Sequence, residues 1–375
     1  MAGIYVHIPY CHQACSYCDF HFTVYPGRMS QTINAILLEA EQKKDYLHNE
    51  TISTVYFGGG TPSVVPDDAI RQILIKLKET YPISSDPEIT LEANPDDITA
   101  LKISNYRKMG INRISLGIQS FREADLKLLN RRHSAENAEA AIRKILKGGF
   151  SNVSIDLIYG IPGLSIDSWK KNLEKAFGTG ISHLSAYHLT YEQGTELSYR
   201  LKKNKIIQLT EKESLQQFNL LVRLAEKNGF IQYEISNFAR NGHISKHNTG
   251  YWTGQNYIGL GPSAHSYNGY ERQWNIKGIM TYCMKVNSGT GYFEKEVLDK
   301  NTMYNEYLLT SLRTKWGIVL DRVRSEFGSD YSDKLMSQCE KHLKQDNLYH
   351  EQGRIILTKK GMFIADSIIL DLFVC

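Results

Sequence analysis

Short apolar runs alternate with longer amphipathic stretches through the first half of the chain. The apolar runs predict six strands, at Ile4 to Ile8, Thr54 to Phe57, Glu88 to Glu92, Arg113 to Ile118, Val153 to Tyr159 and His183 to Leu189. The stretches between them predict helices at about Gln31 to Tyr46, Asp67 to Thr80, Thr99 to Lys108, Ala135 to Lys147 and Ser168 to Ala176. This alternation is typical of βαβ units, whose right-handed crossovers build a parallel sheet. We therefore predict an α/β fold with six strands in a partial (β/α)6 barrel.

The alternation fades beyond about residue 200. A long helix is predicted from Thr210 to Lys227, and an aromatic, histidine-rich stretch follows from Tyr233 to Tyr282. From about Asn301 the chain becomes helical again, with one short strand at Ile355 to Leu357. These changes predict three parts: the barrel over 1–200, a cover for the barrel over 201–300, and a mainly helical C-terminal domain over 301–375.

Polar and glycine-rich residues follow the ends of the predicted strands. They are Cys11, Cys15 and Cys18 after the first strand, Gly58 to Thr61 after the second, Glu92 at the third, Gln119 after the fourth and Asp156 within the fifth. In α/β barrels the carboxyl ends of the strands meet at one rim, where active sites are assembled. We therefore expect these residues to converge.

The three clustered cysteines are spaced three residues and then two apart. A four-iron cluster normally takes four cysteine thiolates, so three in one loop would leave one iron open to an exchangeable ligand. The alternative is a structural zinc site completed by His12 or His21, since zinc also accepts three thiolates and an imidazole. Zinc ribbons and fingers usually present two separated ligand pairs, whereas the other cysteines stand singly at Cys283, Cys339 and Cys375.

Composition and charge exclude several classes of partner. The 375 residues carry a formal net charge of +4, and no block of like charge indicates a nucleic-acid arm or a polybasic membrane anchor. The N-terminus lacks the pattern of a signal peptide, and nowhere do about eighteen apolar residues run together. With its isolated cysteines, this pattern predicts a cytoplasmic protein that keeps its thiols reduced.

The glycine triplet and the charged residues each have two interpretations. Three glycines before Thr61 would let backbone amides approach a ligand closely, or they would simply form a tight strand-to-helix turn. Glu92, Gln119 and Arg131 could equally be surface or helix-capping residues. Asp156 is harder to dismiss, because an unpaired carboxylate in an apolar strand costs several kcal/mol. Asp156 and Arg131 could be the poles of a zwitterionic or ribose-bearing ligand.

Together these residues resemble radical S-adenosylmethionine proteins of the oxygen-independent coproporphyrinogen III oxidase group. The resemblance covers nearly the whole chain, through His-Ile-Pro-Tyr-Cys, Gly-Gly-Gly-Thr-Pro, Leu-Glu-Ala-Asn-Pro, Leu-Gly-Ile-Gln-Ser-Phe, Leu-Leu-Asn-Arg and Ile-Asp-Leu-Ile-Tyr-Gly-Ile-Pro. It implies that the three cysteines hold a [4Fe-4S] cluster whose open iron is chelated by S-adenosylmethionine. The contacts implied for S-adenosylmethionine are Tyr5, Tyr17, Gly59, Gly60, Thr61, Glu92, Gln119, Arg131 and Asp156.

The same resemblance separates two branches of the group, oxidases and heme chaperones. Oxidases carry a further cysteine two residues after the third and a longer N-terminal extension, whereas this chain has Phe20 there and begins its cysteine loop at residue 11. Both features favour a heme chaperone, with a coproporphyrinogen III oxidase as the alternative. No catalytic residue is assigned. The implied partners are heme, acceptor hemoproteins and an electron donor, with membrane association only through acceptors, for a monomer or dimer.

The segment from His247 to Trp252 resembles the His-Asn-x-x-Tyr-Trp motif of the heme-chaperone branch. An imidazole is a common axial ligand of heme iron, and Tyr251 and Trp252 could flank the macrocycle, which makes His247 the candidate heme ligand. The alternative is that His247 is a packed, hydrogen-bonded core residue. Other histidines that could ligate heme iron instead are His183, His188, His243 and His265.

Overall fold

A large sheet organises the barrel part of the computed structural model, which describes residues 1–374 and leaves Cys375 outside the description. In chain order the first elements are β1 (Ala2–Ile8), α1 (Met29–Gln42), β2 (Ile52–Gly59), α2 (Asp67–Thr80), β3 (Ile83–Ala93), α3 (Ala100–Met109), β4 (Arg113–Gln119), α4 (Glu123–Leu128), α5 (Ala135–Lys147), β5 (Asn152–Tyr159), α6 (Ile166–Gly178) and β6 (His183–His188). Strands β1 to β6 pair in sequence order, and all five pairings are parallel. The predicted fold class is confirmed.

The barrel strands form where the apolar runs predict them because both faces of a parallel sheet are buried. Six of the seven residues of β1 are buried, and helices such as α2 and α5 begin and end at the predicted residues. Ser134 accepts a hydrogen bond from the amide of Asn137 and so begins α5. Several other boundaries differ by a few residues. The largest shift is in β3, which begins at Ile83, five residues before the predicted Glu88, and residues 84–86 at its start are polar and partly or fully exposed. Helix α1 ends at Gln42, four residues before the predicted Tyr46.

The middle part of the chain adds strands to both edges of this sheet. Its elements are α7 (Glu196–Lys202), α8 (Glu211–Lys227), β7 (Ile231–Gln232), β8 (Asn237–Ala239), α9 (Lys246–Thr253), β9 (Tyr257–Leu260), β10 (His265–Tyr267), β11 (Glu271–Asn275), α10 (Ile279–Ser288) and β12 (Phe293–Val297). Strand β9 pairs in parallel with β1, and β10 to β12 continue beyond it as an antiparallel meander. Strand β8 pairs antiparallel with β6 on the other edge.

Helix α9 lies against the amino-terminal halves of the barrel strands. The carboxylate of Glu88 in β3 accepts hydrogen bonds from the backbone amides of Lys246 and His247, each at 3.0 Å. The Nδ1 atom of His247 lies 2.8 Å from the hydroxyl of Thr54 in β2. Because the predicted cysteine loop follows the other end of β1, this helix covers the end of the barrel away from it.

The C-terminal part has its own core. Its elements are α11 (Lys300–Leu312), β13 (Ile318–Val319), α12 (Leu320–Phe327), α13 (Ser329–Lys344), β14 (Leu348–Glu351), β15 (Arg354–Leu357), α14 (Lys359–Phe363) and α15 (Ala365–Asp371). Tyr304, Leu308 and Ile355 are buried in one cluster there. The part is mainly helical as predicted, but the single expected strand is β15, the centre of a three-stranded antiparallel sheet. Among residues 1–374, none of the helices is long and apolar enough to cross a membrane.

A buried ionic network joins α1 to the strands added beside β1. Glu39 is fully buried and lies 3.1 Å from the ammonium of Lys43, which is also buried. Its carboxylate accepts hydrogen bonds from the amide of Gly261 at 2.7 Å, from Asn275 at 2.7 Å and from the hydroxyl of Tyr282. A carboxylate satisfied this fully can remain buried, whereas removing its charge would leave Lys43 as an uncompensated buried cation.

Replacing Glu39 by glutamine should therefore destabilise the protein by about 3 kcal/mol, since breaking a buried pair exposes the cost of the remaining charge. Glu41→Gln is the matched control, because Glu41 lies two residues away and is half exposed in its contact with Lys76. That control should cost less than about 1 kcal/mol. Urea unfolding followed by fluorescence measures both, and equal losses in the two variants would contradict the role assigned to Glu39.

Candidate functional site

A cavity of about 450 Å³ opens at the carboxyl ends of the barrel strands. It is lined by most of the residues that the sequence predicts for the site, namely Cys11, Cys15, Tyr17, Cys18, Gly59, Gly60, Thr61, Glu92, Gln119, Arg131 and Asp156. The expected convergence on one rim is thus what the structure shows. A larger, more open depression of about 740 Å³ lies beside α9 at the other end of the barrel and contains none of these residues.

Backbone hydrogen bonds from two sides fix the cysteine loop. The amide of Cys11 donates to the carbonyl of Thr23 at 3.0 Å, which folds the loop back on itself. Ser16 reaches the end of α4, where its amide donates to Leu129 and its hydroxyl to Leu128, at 3.1 and 2.8 Å. The loop therefore presents its thiols to the cavity on a framework of hydrogen bonds to Thr23 and to the end of α4.

Polar groups from neighbouring strand ends contact the thiols of the loop. Cys11 lies 3.4 Å from the hydroxyl of Thr61, and Cys15 accepts a hydrogen bond from Arg131 at 3.2 Å. Within residues 1–374, no three His, Cys, Asp or Glu side chains converge on one point as a mononuclear metal site requires. His12, a candidate fourth zinc ligand, is half exposed and lies 3.5 Å from Asp97 instead.

Burial also sets the protonation of these thiols. It raises the pKa of Cys11 and of Cys18 to about 11, with a partial offset at Cys11 from the Thr61 hydroxyl. Both side chains are therefore neutral thiols near pH 7 in the metal-free chain. Because metal ligands must be thiolates, loading a cluster would release these protons. The residues present fit a cluster chemically, and cluster assembly is expected to become easier as the pH rises.

The glycine turn is held against the chain that leads into the cysteine loop. The amide of Gly60 donates to Ile8 and that of Thr61 donates to Tyr10, both at 2.8 Å, so these two amides are paired with the backbone. A Cβ atom on Gly60 would lie 2.8 Å from the carbonyl oxygen of Tyr10. Gly59, at φ +109°, leaves room for the ring of His7. The glycines therefore let β2 pack closely against the chain that leads into the cysteine loop.

Two carboxyl groups form the acidic side of the cavity. Burial is the main cause that raises the pKa of Glu92 to about 7; the hydrogen bond from Tyr56 opposes this shift, and the charge of Asp156 adds to it. Burial likewise raises the pKa of Asp156 to about 6. Glu92 accepts a hydrogen bond from the hydroxyl of Tyr56 at 2.7 Å, and Ser115 lies 3.4 Å from Asp156. The pair can bind cationic or hydroxyl groups of a ligand and gain charge when it does so.

Arg131 forms the basic side of the cavity. Its guanidinium donates to Asn94 at 2.6 Å and to the carbonyl of Gly117 at 2.7 Å, besides its bond to Cys15. Asn94 also donates to Thr61 at 3.1 Å, so one chain of hydrogen bonds joins the second, third and fourth strand ends. Arginine in this position can bind a ligand carboxylate while it donates a hydrogen bond to Cys15.

Sequence reasoning missed Arg113, at the start of β4. Its side chain is 1% exposed, and its Nε and Nη2 atoms have no hydrogen-bond partner among the described residues. Its charge lowers the pKa of Asp156 and of Glu92, against the larger effect of burial. A charged residue in a predicted barrel strand was the signal that singled out Asp156, and the same signal applied to Arg113 would have found it.

Two predicted residues lie outside the cavity. Tyr5 lies behind it, with its ring centroid 6.1 Å from Tyr56 and its hydroxyl 3.3 Å from Nδ1 of His7. His247 is 3% exposed, and its Nε2 atom lies 2.9 Å from the hydroxyl of Tyr251 while Nδ1 meets Thr54. Neither nitrogen of His247 is free for iron in this conformation. Its role as a heme ligand stays a prediction that requires a hydrogen bond to break.

Comparison with known proteins agrees with this architecture. The Radical SAM superfamily profile matches residues 5–176. The chain is 32% identical to the heme chaperone HemW of Mycobacterium tuberculosis, covering 99% of this chain and 94% of that protein. It is 28% identical to the heme chaperone HemW of Bacillus subtilis, covering 98% of each.

The solved structure of coproporphyrinogen III oxidase (HemN) from Escherichia coli, a radical SAM enzyme, superposes with a TM-score of 0.85 at 21% identity, covering 100% of this chain and 90% of that one. At that identity the likeness shows the fold alone. The chain therefore belongs to the HemW family of heme chaperones within the radical SAM superfamily.

Proposed function

We propose that this protein is a heme chaperone that binds heme and passes it to acceptor hemoproteins. The observation that carries the proposal is the similarity to HemW heme chaperones along nearly the whole of both chains. Phe20 supports it, because the resemblance places a further cysteine there in oxidases and this chain presents an exposed phenyl ring at the cavity. An aromatic side chain suits contact with a flat macrocycle better than ligation of iron.

We assign the cavity to a [4Fe-4S] cluster and S-adenosylmethionine, the cofactors that membership of the radical SAM superfamily implies. Cys11, Cys15 and Cys18 would hold the cluster. When bound, the pair would supply reductive cleavage of the sulfonium bond. The contacts proposed for S-adenosylmethionine are Tyr17, Gly59, Gly60, Thr61, Glu92, Gln119, Arg131 and Asp156, all of which line the cavity, and Tyr5, which supports them from behind.

Charge divides these roles. Arg131 is positioned for the carboxylate of S-adenosylmethionine, since it is the cation beside the cluster loop. Glu92 and Asp156 are proposed to contact its amine or its ribose hydroxyls. Burial raises the pKa of both carboxyl groups, and a ligand cation or hydrogen-bond donor would stabilise their ionised forms. The proposal also includes an electron donor, a cytoplasmic location and the three-part division at residues 200 and 300.

Anaerobic assays on the reconstituted protein test this function. The protein should bind hemin stoichiometrically and transfer it to an apo-hemoprotein such as apomyoglobin, as followed by the Soret absorbance. It should not convert coproporphyrinogen III under reducing conditions with S-adenosylmethionine. Formation of protoporphyrinogen over repeated turnovers would favour the oxidase alternative over the chaperone proposal. Failure to bind hemin would contradict the chaperone proposal.

A further inference from the structure

Arg113 lies inside the barrel, below the floor of the cavity. It stands two residues before Ser115 in β4, and alternate residues of a strand point to the same face of a sheet. Ser115 and Gly117 line the cavity, so Arg113 belongs to the same inward-facing row. The residue is only 1% exposed. Its guanidinium is therefore held in the barrel interior, about 7 Å along the strand from the row of Ser115.

The neighbouring strands place two carboxyl groups in the layer directly above Arg113. Thr90 of β3 pairs with Arg113 across the sheet. Two residues further along β3, Glu92 pairs with Ser115. The hydroxyl of Ser115 lies 3.4 Å from a carboxylate oxygen of Asp156 in β5. Glu92 and Asp156, which we call the acidic pair, thus flank the inward-facing residue next to Arg113, a separation that a long arginine side chain can span.

The guanidinium of Arg113 has no partner of its own. Its Nε and Nη2 atoms are shielded from solvent and make no hydrogen bond to any residue of 1–374. Arg131, at the rim, donates instead to Asn94, to the carbonyl of Gly117 and to Cys15. A buried cation without a hydrogen-bonded partner is costly unless an opposite charge lies near it. The acidic pair in the next layer can supply that charge.

Arg113 also acts electrostatically on both members of the acidic pair. Burial raises the pKa of Glu92 and of Asp156, and the charge of Arg113 opposes that rise in both. At Asp156 its effect is larger than that of Arg131. The other titratable groups around the pair are Tyr5, Tyr56, Tyr187, Tyr251 and Cys11. Burial raises the pKa of each, so in the metal-free chain all five are neutral near pH 7.

The remaining ionisable groups around Arg113 supply no free negative charge. Burial lowers the pKa of His183 and of His247, and the charge of Arg113 lowers both further, so these imidazoles are neutral. Tyr233 is also neutral, because burial raises its pKa. The carboxylate of Glu88 is bonded to the first amides of α9. The acidic pair is thus the available counter-charge for Arg113.

We infer that Arg113 is a positioning residue that compensates one negative charge on the acidic pair. Near neutral pH the pair would carry that single charge before a ligand binds, and it would take a second charge only when a cationic ligand arrives. The second carboxyl proton then leaves to solvent as the cation binds. The inference rests on the proposed S-adenosylmethionine site, whose ligand supplies such a cation, and it adds a residue that does not touch the ligand.

Unfolding of the apoprotein tests this charge without any ligand. Arg113→Met removes the cation and keeps a side chain that can stay buried, whereas Arg113→Lys keeps the charge. Loss of the cation should raise the pKa of Glu92 by about one unit. Because stability is lost as the pH rises through the folded pKa, the urea midpoint should fall further between pH 5 and pH 8 in Arg113→Met than in the wild type. Arg113→Lys should follow the wild type.

A second substitution shows whether Arg113 acts through the acidic pair. In a Glu92→Gln background one of the two titrating carboxyls is absent. Most of the extra fall in the urea midpoint that Arg113→Met causes should then disappear, since only Asp156 remains to respond. An undiminished extra fall in that background would show that Arg113 does not act through Glu92.

Binding of S-adenosylmethionine to the anaerobically reconstituted protein tests the same charge at the site. In Arg113→Met the rise of affinity with pH should have its midpoint about one pH unit higher. Affinity should therefore be about fivefold weaker at pH 7 and nearly unchanged at pH 9. Arg113→Lys should keep the wild-type profile. Arg143→Met, at an exposed position of α5, is the matched control and should alter neither profile. Equilibrium dialysis at a series of pH values measures all four proteins.

The outcomes separate this inference from the proposed cofactor site. If Arg113→Met keeps the wild-type pH dependence of stability and affinity, or if Arg113→Lys changes both as much as methionine does, the inference is overturned while the cofactor site stands. An Arg113→Met chain that is unfolded even at pH 5, where the acidic pair is protonated, would also overturn it in favour of a structural role. If the wild type binds no S-adenosylmethionine but the stability difference appears, the role of Arg113 stands and the cofactor site fails.

Discussion

A chain carrying Cys15→Ser is expected to lose its [4Fe-4S] cluster, and this is the largest effect that the site predicts. Cys15 is the central thiol of the loop, and a serine hydroxyl is a far poorer ligand for iron than a thiolate. Iron and sulfide should fall close to zero after anaerobic reconstitution, and the visible absorption of the cluster should disappear. The loop should stay folded, since Ser16 holds it to α4 through its backbone amide and hydroxyl.

Cys283→Ser is the control for this experiment. Cys283 is buried and its sulfur lies 3.8 Å from the hydroxyl of Thr32, a contact that a serine can keep. That variant should contain as much iron and sulfide as the wild type. A full complement of both in Cys15→Ser would show that the three cysteines do not hold the cluster, and zinc in place of iron and sulfide would restore the structural-site alternative.

Glu92→Gln is expected to change stability and S-adenosylmethionine binding in opposite directions. The folded protein raises the pKa of Glu92 to about 7, above the value of an unfolded chain, so the folded state holds its proton more tightly. Stability from this group is present below the unfolded pKa and is lost as the pH rises through the folded pKa. Glutamine never ionises. The apoprotein variant should therefore be more stable than wild type by about 1 to 2 kcal/mol near pH 8, with the difference fading toward about pH 4.

The same substitution should weaken S-adenosylmethionine binding by about tenfold, because glutamine cannot supply the negative charge proposed for the amine or ribose. Wild-type affinity should rise with pH through about 7 as Glu92 ionises, and that rise should be missing in the variant. Equilibrium dialysis measures the affinity, and urea unfolding at both pH values measures the stability. Glu174→Gln, an exposed residue of α6, is the control. A stability difference that is the same at both pH values would contradict the assignment.

The barrel could be predicted from the sequence because each of its strands contains a run of mostly buried residues, in which apolar side chains lie on both faces of the sheet. The residues from 257 to 297 could not, because β9 to β12 are short, and Gln273 and Asn275 are buried through hydrogen bonds rather than through apolar contacts. Glu39 follows the same rule. It lies in a helix like a surface residue, and only the arrival of Asn275 and Tyr282 from far along the chain makes it part of the core.

The candidate site was predictable where one residue type serves one purpose. Closely spaced cysteines and a carboxylate in an apolar strand are each recognisable in the sequence alone. The structure places both around one cavity. Partner choice was not predictable. Whether His247 is free or bonded depends on Thr54 and Tyr251, and whether the glycine amides face a ligand depends on Ile8 and Tyr10. Such pairings arise from tertiary packing, to which residue spacing gives no access.

The position of α9 has a consequence for the interpretation of mutations in its motif. The ring of His247 stacks on Tyr56 with the centroids 5.0 Å apart, and Tyr56 bonds to Glu92 at 2.7 Å. Two contacts therefore connect the floor of the barrel to the wall of the cavity. Substituting His247 would loosen Tyr56 and, through it, Glu92, so that ligand affinity at the rim would fall without any contact between His247 and the ligand. Reduced ligand binding in such a variant would reflect this indirect effect through Tyr56 and Glu92. Only an optical spectrum of the heme iron distinguishes it from the loss of an iron ligand.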